Sequence, residues 1–453
     1  MAKIRIKPRI RITPQGLIIF QMIFCMFSRL LTSMSPSLDK LTYMTHLIAV
    51  MLLWFLCRSK YTHEKTRYIR VEKILILITV IGALAGFTIV PIATYDVMTS
   101  VSISVYVKGC INYFRFYIFY LACITFLNVE HVKKMVHIIW VVFIMNIFIC
   151  LYEFFVLGCK MDFLGGSFGY IYGGNSGLNI LLCVVTPIIV CDYIQKKISQ
   201  KKLAFFVAVL LLIAAAGELK IFFIEFIVMT AFCMIMLKPN ANTVKLILIS
   251  IAFLILMVNL LDMLFPGSME TLLNPEDTTS YLTNGYVTGS LGRFSMFGQL
   301  EKLCYGKYPL TKYFGFGLGM FDATSSAPLA IHYSYLQVGW FGNATILLNS
   351  GYVGLISLYV FLICTLVRGF AAFLRDKTNT VLVMSISMTG IAIICMWYNA
   401  TMSSASTGYL MYFLFAIPAI YTRERKTGKE KINDSDQGTV KGMSGDGKEA
   451  LQA

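Results

Sequence analysis

The sequence predicts an all-α polytopic membrane protein with about twelve transmembrane helices and one large extracytoplasmic loop between the ninth and tenth. Three observations predict it. Hydrophobic residues make up 57% of the 453 positions and charged residues only 14%, where a soluble domain carries about 25% charge. Apolar runs of spanning length, about 17–25 residues, can be placed twelve times along the chain. The connections between them alternate between strongly basic and nearly neutral, which is the signature of fixed orientation.

The runs fall near 15–34, 41–57, 72–93, 110–127, 135–157, 177–194, 203–218, 219–237, 244–265, 343–367, 381–398 and 402–421. Before the first, Lys3, Arg5, Lys7, Arg9 and Arg11 form a basic end, and the run from Leu17 reads as a retained anchor. Connections assigned inside carry Arg58, Lys60, Lys65, Arg67, Arg70 and Lys73, then Lys133 and Lys134, then Lys196, Lys197, Lys201 and Lys202. Lys238 and Lys245 follow, and finally Arg368, Arg375 and Lys377. Short connections assigned outside carry the single lysines Lys40, Lys108 and Lys160. At Gly217-Glu-Leu-Lys220 the alternation favours a tight turn over one long kinked helix. Both termini then face the cytoplasm. Residues 1–422 form the membrane domain, and 423–453, rich in Lys, Gly, Asp and Glu, read as a disordered cytoplasmic tail.

The formal net charge of +16 invites a nucleic-acid reading. Its distribution rejects it, because the basic residues sit in inter-helix loops and at both ends. Twelve cysteines, mostly inside apolar runs (Cys150, Cys183 and Cys395 among them), show no paired or metal-ligand spacing and read as small core residues. No phosphate-binding glycine loop of nucleotide-hydrolysing type and no H-E-x-x-H is present, so no metal or cofactor is expected. No internal repeat of transporter type is visible.

The polar segment 266–342 carries the most informative residues. It contains Gly289-Ser-Leu-Gly-Arg293, then Phe314-Gly-Phe-Gly-Leu-Gly-Met-Phe321, then His332-Tyr-Ser-Tyr335. A loop of that length in compact architecture is functional or disordered. Arg293 reads as an anion-binding cation or as a solvated loop residue. His332 is the side chain most easily poised for proton transfer near neutral pH, or an interfacial packing residue. Gly315, Gly317 and Gly319 suit a backbone passing close to a ligand or a helix. Within the apolar runs, charge is costly and tends to be functional. Arg29, Arg115 and Lys220 are placed with Arg293 on the outer side, where several cations would form an anion site; Glu153 is a candidate partner of Arg115, and Glu225 lies about a turn deeper than Lys220.

This pattern resembles the O-antigen polymerase/ligase family, membrane glycosyltransferases that use polyprenyl-diphosphate-linked sugars. The likeness covers the whole topology and a series of short motifs in order. They are the cation at Lys220, Gly292-Arg293, Gly315-x-Gly317-x-Gly319, His332, Gly351-x-x-Gly354, and Asn175 in Gly173-Gly-Asn-Ser-Gly177. Two positions depart from it: Lys220 stands where an Arg is usual, which loses the bidentate fork, and Tyr333 stands where an Asn is common.

The resemblance implies an enzyme of the bacterial cytoplasmic (inner) membrane, working without metal or other cofactor. It would polymerise lipid-linked oligosaccharide repeat units into a surface polysaccharide (O-antigen, capsule or exopolysaccharide). Arg293 and His332 are then catalytic. Lys220, Arg115, Arg29, Asn175, Gly315, Gly317, Gly319, Tyr333 and Tyr335 bind substrate, with Tyr281, Tyr305 and Tyr313 as further sugar-stacking faces. A chain-length regulator and a flippase are the implied protein partners, and membrane lipid surrounds the chain. The alternatives are a ligase that moves glycan to a lipid or protein acceptor, and a lipid-linked oligosaccharide flippase or transporter.

The alternation of loops is testable directly. In a background stripped of native cysteines, an impermeant thiol reagent applied from outside should label a cysteine placed at Thr279 and spare one at Thr66; the reverse would invert the topology.

Overall fold

The helices form where the sequence is continuously apolar, and they begin where a side chain can receive the first backbone N–H groups. The computed structural model describes residues 13–63, 103–266, 274–284, 289–306, 309–321 and 328–443. The basic N-terminal residues and the expected third span at 72–93 lie outside these. The long helices are α1 (Pro14–Met34), α2 (Leu38–His63), α3 (Ile103–Phe126), α4 (Val129–Phe155), α5 (Asn175–Ile194), α6 (Gln200–Ala216), α7 (Lys220–Met236) and α8 (Ala241–Leu264). Four short helices follow in the polar segment, α9 (Pro275–Asn284), α10 (Met296–Leu300), α11 (Pro309–Phe314) and α12 (Pro328–His332). The chain then continues through α13 (Gly342–Phe373), α14 (Thr380–Cys395) and α15 (Gly408–Met443). No strand occurs among the described residues.

Thr13, Asn128, Ser199, Asn240 and Asn379 each cap the helix that follows by accepting a backbone N–H on a side-chain oxygen. Seven of the described helices (α1–α5, α8 and α13) are long and apolar enough to cross a membrane. The face of α8 that carries Leu248, Ile251, Ile255 and Leu256 is exposed, as a lipid-facing surface would be. By contrast α5 is buried almost all round, packed by α4, α6, α7 and α14, and is the centre of one half of the bundle. The other half is built by α3 and α15 with α1, α2 and α13 against them. The chain is an α-helical membrane protein.

Polar contacts fix the two ends of the bundle. At one end, called here the tail end, Gln15 Nε2 donates to Phe126 O at 3.2 Å and the Arg423 guanidinium to Ile124 O, Thr125 O and Leu127 O. These are the last carbonyls of α3 and that of Leu127 just after it, which no helical N–H can reach. Asn240 and Asn242 cap α5 in the same way, on Ile194 O (2.8 Å) and Tyr193 O (3.2 Å). The opposite, loop end carries residues 158–174, the turn 217–219 and the polar segment from 289 to 341. The turn at 217–219 separates α6 from α7, with Glu218 at φ 50°.

The glycine triplet has a physical task. Helix α13 is broken at Gly351, whose φ 66° and ψ −172° are non-helical. A break inside a bundle exposes carbonyls that must find donors. Tyr305 donates its hydroxyl to Leu347 O at 2.8 Å, Phe316 its N–H to Leu348 O at 2.7 Å, and Gly317 its N–H to Asn349 O at 3.2 Å. A Cβ on Gly315 would come within 2.4 Å of Ser350 N, and one on Gly319 within 2.7 Å of Val105 O on α3. The 315–321 segment is therefore buried between α13 and α3.

Three expectations change. The polar segment 266–342 is substantially helical where it is described, not an open loop. Between α14 and α15, residues 396–407 are non-helical, so the last helix starts at Gly408 and not near 402. Finally, α15 continues to Met443 through the charged stretch expected as a disordered tail. Its Lys, Arg and Glu residues are strong helix formers, so the packed half of the helix propagates into them.

Gly351 occupies a backbone region that is essentially glycine-only, at a cost of about 1–3 kcal/mol for other residues, and a Cβ there would sit 2.2 Å from Tyr313 O. Gly351→Ala should lower the thermal unfolding temperature in detergent. Gly390→Ala, where a Cβ meets nothing within 4 Å, should not.

Candidate functional site

The loop end gathers most of the residues singled out in the sequence into two adjoining parts. In the first, the loop after α4 folds back onto the bundle. Glu153, in the last turn of α4, accepts N–H bonds from Gly165 (3.1 Å) and Gly166 (2.7 Å), and Asn146 Oδ1 accepts from Ser167 N at 2.7 Å. Glu153 thus anchors a loop and does not pair with Arg115. The loop brings Gly173 to α1, where Arg29 Nη1 donates to Gly173 O at 3.4 Å. Two residues on, Asn175 Nδ2 donates to Asp162 Oδ1 (2.8 Å) and to Gly217 O (3.3 Å). That second bond fixes the turn from which Lys220 starts α7, with its ammonium 3.1 Å from the Glu218 carboxylate. Arg29, Asn175 and Lys220 therefore share one rim.

The second part is built by the polar segment. Leu291 N donates to Leu336 O at 3.2 Å, which sets the Gly289–Arg293 turn beside the His332–Leu336 turn. Gly292 permits the turn, since a Cβ there would lie 2.0 Å from Thr283 O, and its N–H is held by Gln299 Oε1 at 3.1 Å. Arg293 is half-buried and His332 exposed. The His332 ring meets Tyr333 edge-on at 4.7 Å between centroids. Tyr333 is stacked on Phe321 (5.8 Å) and donates its hydroxyl to Leu303 O (3.4 Å), while Tyr335 is exposed. Tyr313 is exposed too, whereas Tyr305 is buried by its capping role; the Tyr281 side chain lies outside the described residues. Tyr172 and Trp340, 6.3 Å apart between ring centroids, join the two parts.

Two kinds of expected site residue sit elsewhere. Gly315, Gly317 and Gly319 are buried beneath the rim as described above. Arg115 lies twelve residues into α3, near the middle of the bundle.

Below Lys220 the structure contains a polar cage whose acid was legible and whose other members were not. Glu225 is fully buried. Its Oε2 accepts from Asn179 Nδ2 (2.8 Å) and Cys183 Sγ (3.2 Å), and its Oε1 from the Tyr398 hydroxyl and more weakly from Cys395 Sγ (3.6 Å). Tyr398 belongs to the non-helical segment after α14, so the cage ties that segment to α5 and α7. Its neighbour Asn399 accepts the Gly342 N–H at 3.2 Å, capping the start of α13. The one available signal was polar residues inside apolar runs.

Among the described residues no group of three or more His, Cys, Asp or Glu side chains is placed to hold a metal ion. Two surface concavities, one lined by Arg375, Asp376, Tyr421 and Arg425 and one by Ser199–Lys201 and Ala204, lie at the tail end, away from the rim. No protein-family model matches the chain, and no curated protein matches it either.

Removing one hydrogen-bond partner from a buried polar group costs about 1–3 kcal/mol. Tyr398→Phe should therefore destabilise the purified protein by about that much in denaturant unfolding, and an unchanged midpoint would deny the cage its linking role.

Proposed function

We propose that the chain polymerises polyprenyl-diphosphate-linked oligosaccharide repeat units into a surface polysaccharide, by glycosyl transfer at the outer face of a bacterial cytoplasmic membrane. In this reading the chain spans the membrane about twelve times, both termini are cytoplasmic, and the loop end faces out. In support, α2 ends at the tail end while α3 begins at the loop end. The observation that carries the reading is the Leu291–Leu336 hydrogen bond, which sets the segment bearing Arg293 beside the segment bearing His332.

The chemistry asks for cations where a diphosphate departs and a base where a hydroxyl attacks. The acceptor sugar hydroxyl forms a bond to the anomeric carbon of the donor glycan, and the bond from that carbon to the diphosphate oxygen breaks with its electron pair. The diphosphate gains charge, and Arg293 is placed to meet it, with Arg29 and Lys220 on the adjoining rim; fixed cations lower such a barrier through electrostatics. Lys220, already beside Glu218, contributes less than a free arginine fork would. His332, exposed on its turn, takes the proton from the hydroxyl. Tyr335, Tyr172 and Trp340 offer faces to sugar rings. Direct displacement inverts the anomeric configuration.

A ligase would use the same rim with a different acceptor. The flippase or transporter reading has one observation in its favour, the polar residues around Arg115 at mid-depth, where transporters place their sites.

The test is transfer by purified protein from a lipid-diphosphate oligosaccharide. Arg293→Ala should lose about 10²–10³ in rate with membrane insertion unchanged, and His332→Gln about 10²–10⁴. The double variant should lose less than the product, since members of one catalytic unit are not additive. An active His332→Gln enzyme with an unaltered pH profile would remove proton transfer from His332. Translocation without polymer growth would favour the transporter.

A further inference from the structure

Four helices bring four buried polar side chains together near the middle of the bundle: Gln21 of α1, His46 of α2, Arg115 of α3 and Tyr409 of α15. Their relative exposures are 0, 2, 9 and 0%. The His46 ring stacks on Tyr409 at 5.3 Å between centroids, Phe116 meets Tyr409 at 5.0 Å, and the Arg115 guanidinium carbon lies 4.7 Å from the Phe116 centroid. Arg115 is within electrostatic reach of both His46 and Tyr409. Among the described residues it makes no ion pair, and arginine is a permanent cation. A buried charge without a counter-charge is among the costliest things a fold can hold.

The hydrogen-bonding valences around it are specific. Gln21 Nε2 and His46 Nδ1 are 2.6 Å apart. An amide nitrogen can only donate, so with the amide in this orientation Nδ1 accepts and the ring proton is on Nε2. Among the described residues, His46 Nε2, Arg115 Nε, the Tyr409 hydroxyl and Gln21 Oε1 each lack a hydrogen-bond partner. Tyr409 lies near Gln21 without the geometry of a bond between them. The cluster therefore offers three donors, one of them cationic, and one acceptor.

We propose that this cluster binds one oxyanion of the phosphate class, as hydrogen phosphate or a phosphate monoester. Such a group brings acceptor oxygens for Arg115, His46 and Tyr409 and one acidic O–H for Gln21 Oε1. A carboxylate or a halide would leave Gln21 Oε1 unmet. The route in is marked on α3, where Ser104, Lys108, Asn112 and Arg115 recur at i, i+4, i+8 and i+11 on one face. They lie over roughly 16 Å of helix, from the loop end inward. The site is separate from the rim of Arg293 and His332 and does not depend on the transfer reading.

The test is calorimetric titration of the purified full chain in detergent with inorganic phosphate, with chloride as control, repeated in nanodiscs with and without phosphatidic acid. Phosphate should bind saturably and chloride should not. Arg115→Gln should weaken phosphate by about ten- to hundredfold, and Tyr409→Phe, which keeps the ring and so protects folding, by about two- to tenfold. If phosphatidic acid abolishes the phosphate signal, the natural source is a lipid headgroup; if it leaves the signal intact, the source is soluble phosphate. Absence of binding by either probe overturns the proposal. So does phosphate binding that neither Tyr409→Phe nor a folded Arg115→Gln alters.

Discussion

In an apolar surrounding a backbone carbonyl that loses its helical partner has nowhere to turn except to another part of the chain. That constraint governs the loop end. Breaking α13 at Gly351 frees Leu347, Leu348 and Asn349, and the donors arrive from a segment thirty to forty residues upstream. Because Tyr305, Phe316 and Gly317 must reach those carbonyls, the polar segment is pinned down before the glycine triplet and within it. The turns that carry Arg293 and His332 are built on this pinned stretch, and their mutual placement depends on it.

The rest of the rim follows the same logic with different partners. Glu153 and Asn146 hold a loop by its N–H groups, Asn175 holds the 217–219 turn by its carbonyl, and Glu225 holds three elements by its two oxygens. In each case a buried or half-buried polar side chain fixes irregular backbone, which is what lets non-helical chain exist within a bundle. Cations are then delivered to the surface from rigid supports: Arg29 from a helix end, Lys220 from a helix start, and Arg293 from a turn braced by Gln299.

Much of this arrangement was legible in the sequence, because continuous apolar character marks helices without reference to their neighbours. Each described long helix overlaps one expected run, with ends that differ by up to about six residues; the larger differences are that α3 starts seven residues earlier than the run at 110–127 and that α15, which starts six later than the run at 402–421, extends well past its end. The shift in α3 matters. Polar residues at Ser104 and Lys108 read as a loop, yet they are helical, and at 1.5 Å per residue this puts Arg115 about 10 Å deeper than expected. Its separation from Arg29, Lys220 and Arg293 follows from that. The partners of Glu225 were out of reach for another reason. Asn179 and Tyr398 lie 46 and 173 residues from it, and no local pattern encodes a meeting of that range.

The cap on α3 has a consequence for biogenesis. Its last carbonyls are satisfied by Gln15, which precedes it, and by Arg423, which follows Ile124 by 299 residues. At a synthesis rate of about 5–20 residues per second, α3 waits roughly 15–60 s for its second donor. During that interval the helix inserts with exposed carbonyls, and truncated chains never acquire the cap. A quality-control protease that reads an unsatisfied helix end would thereby distinguish a finished molecule from an interrupted one by the arrival of a single arginine.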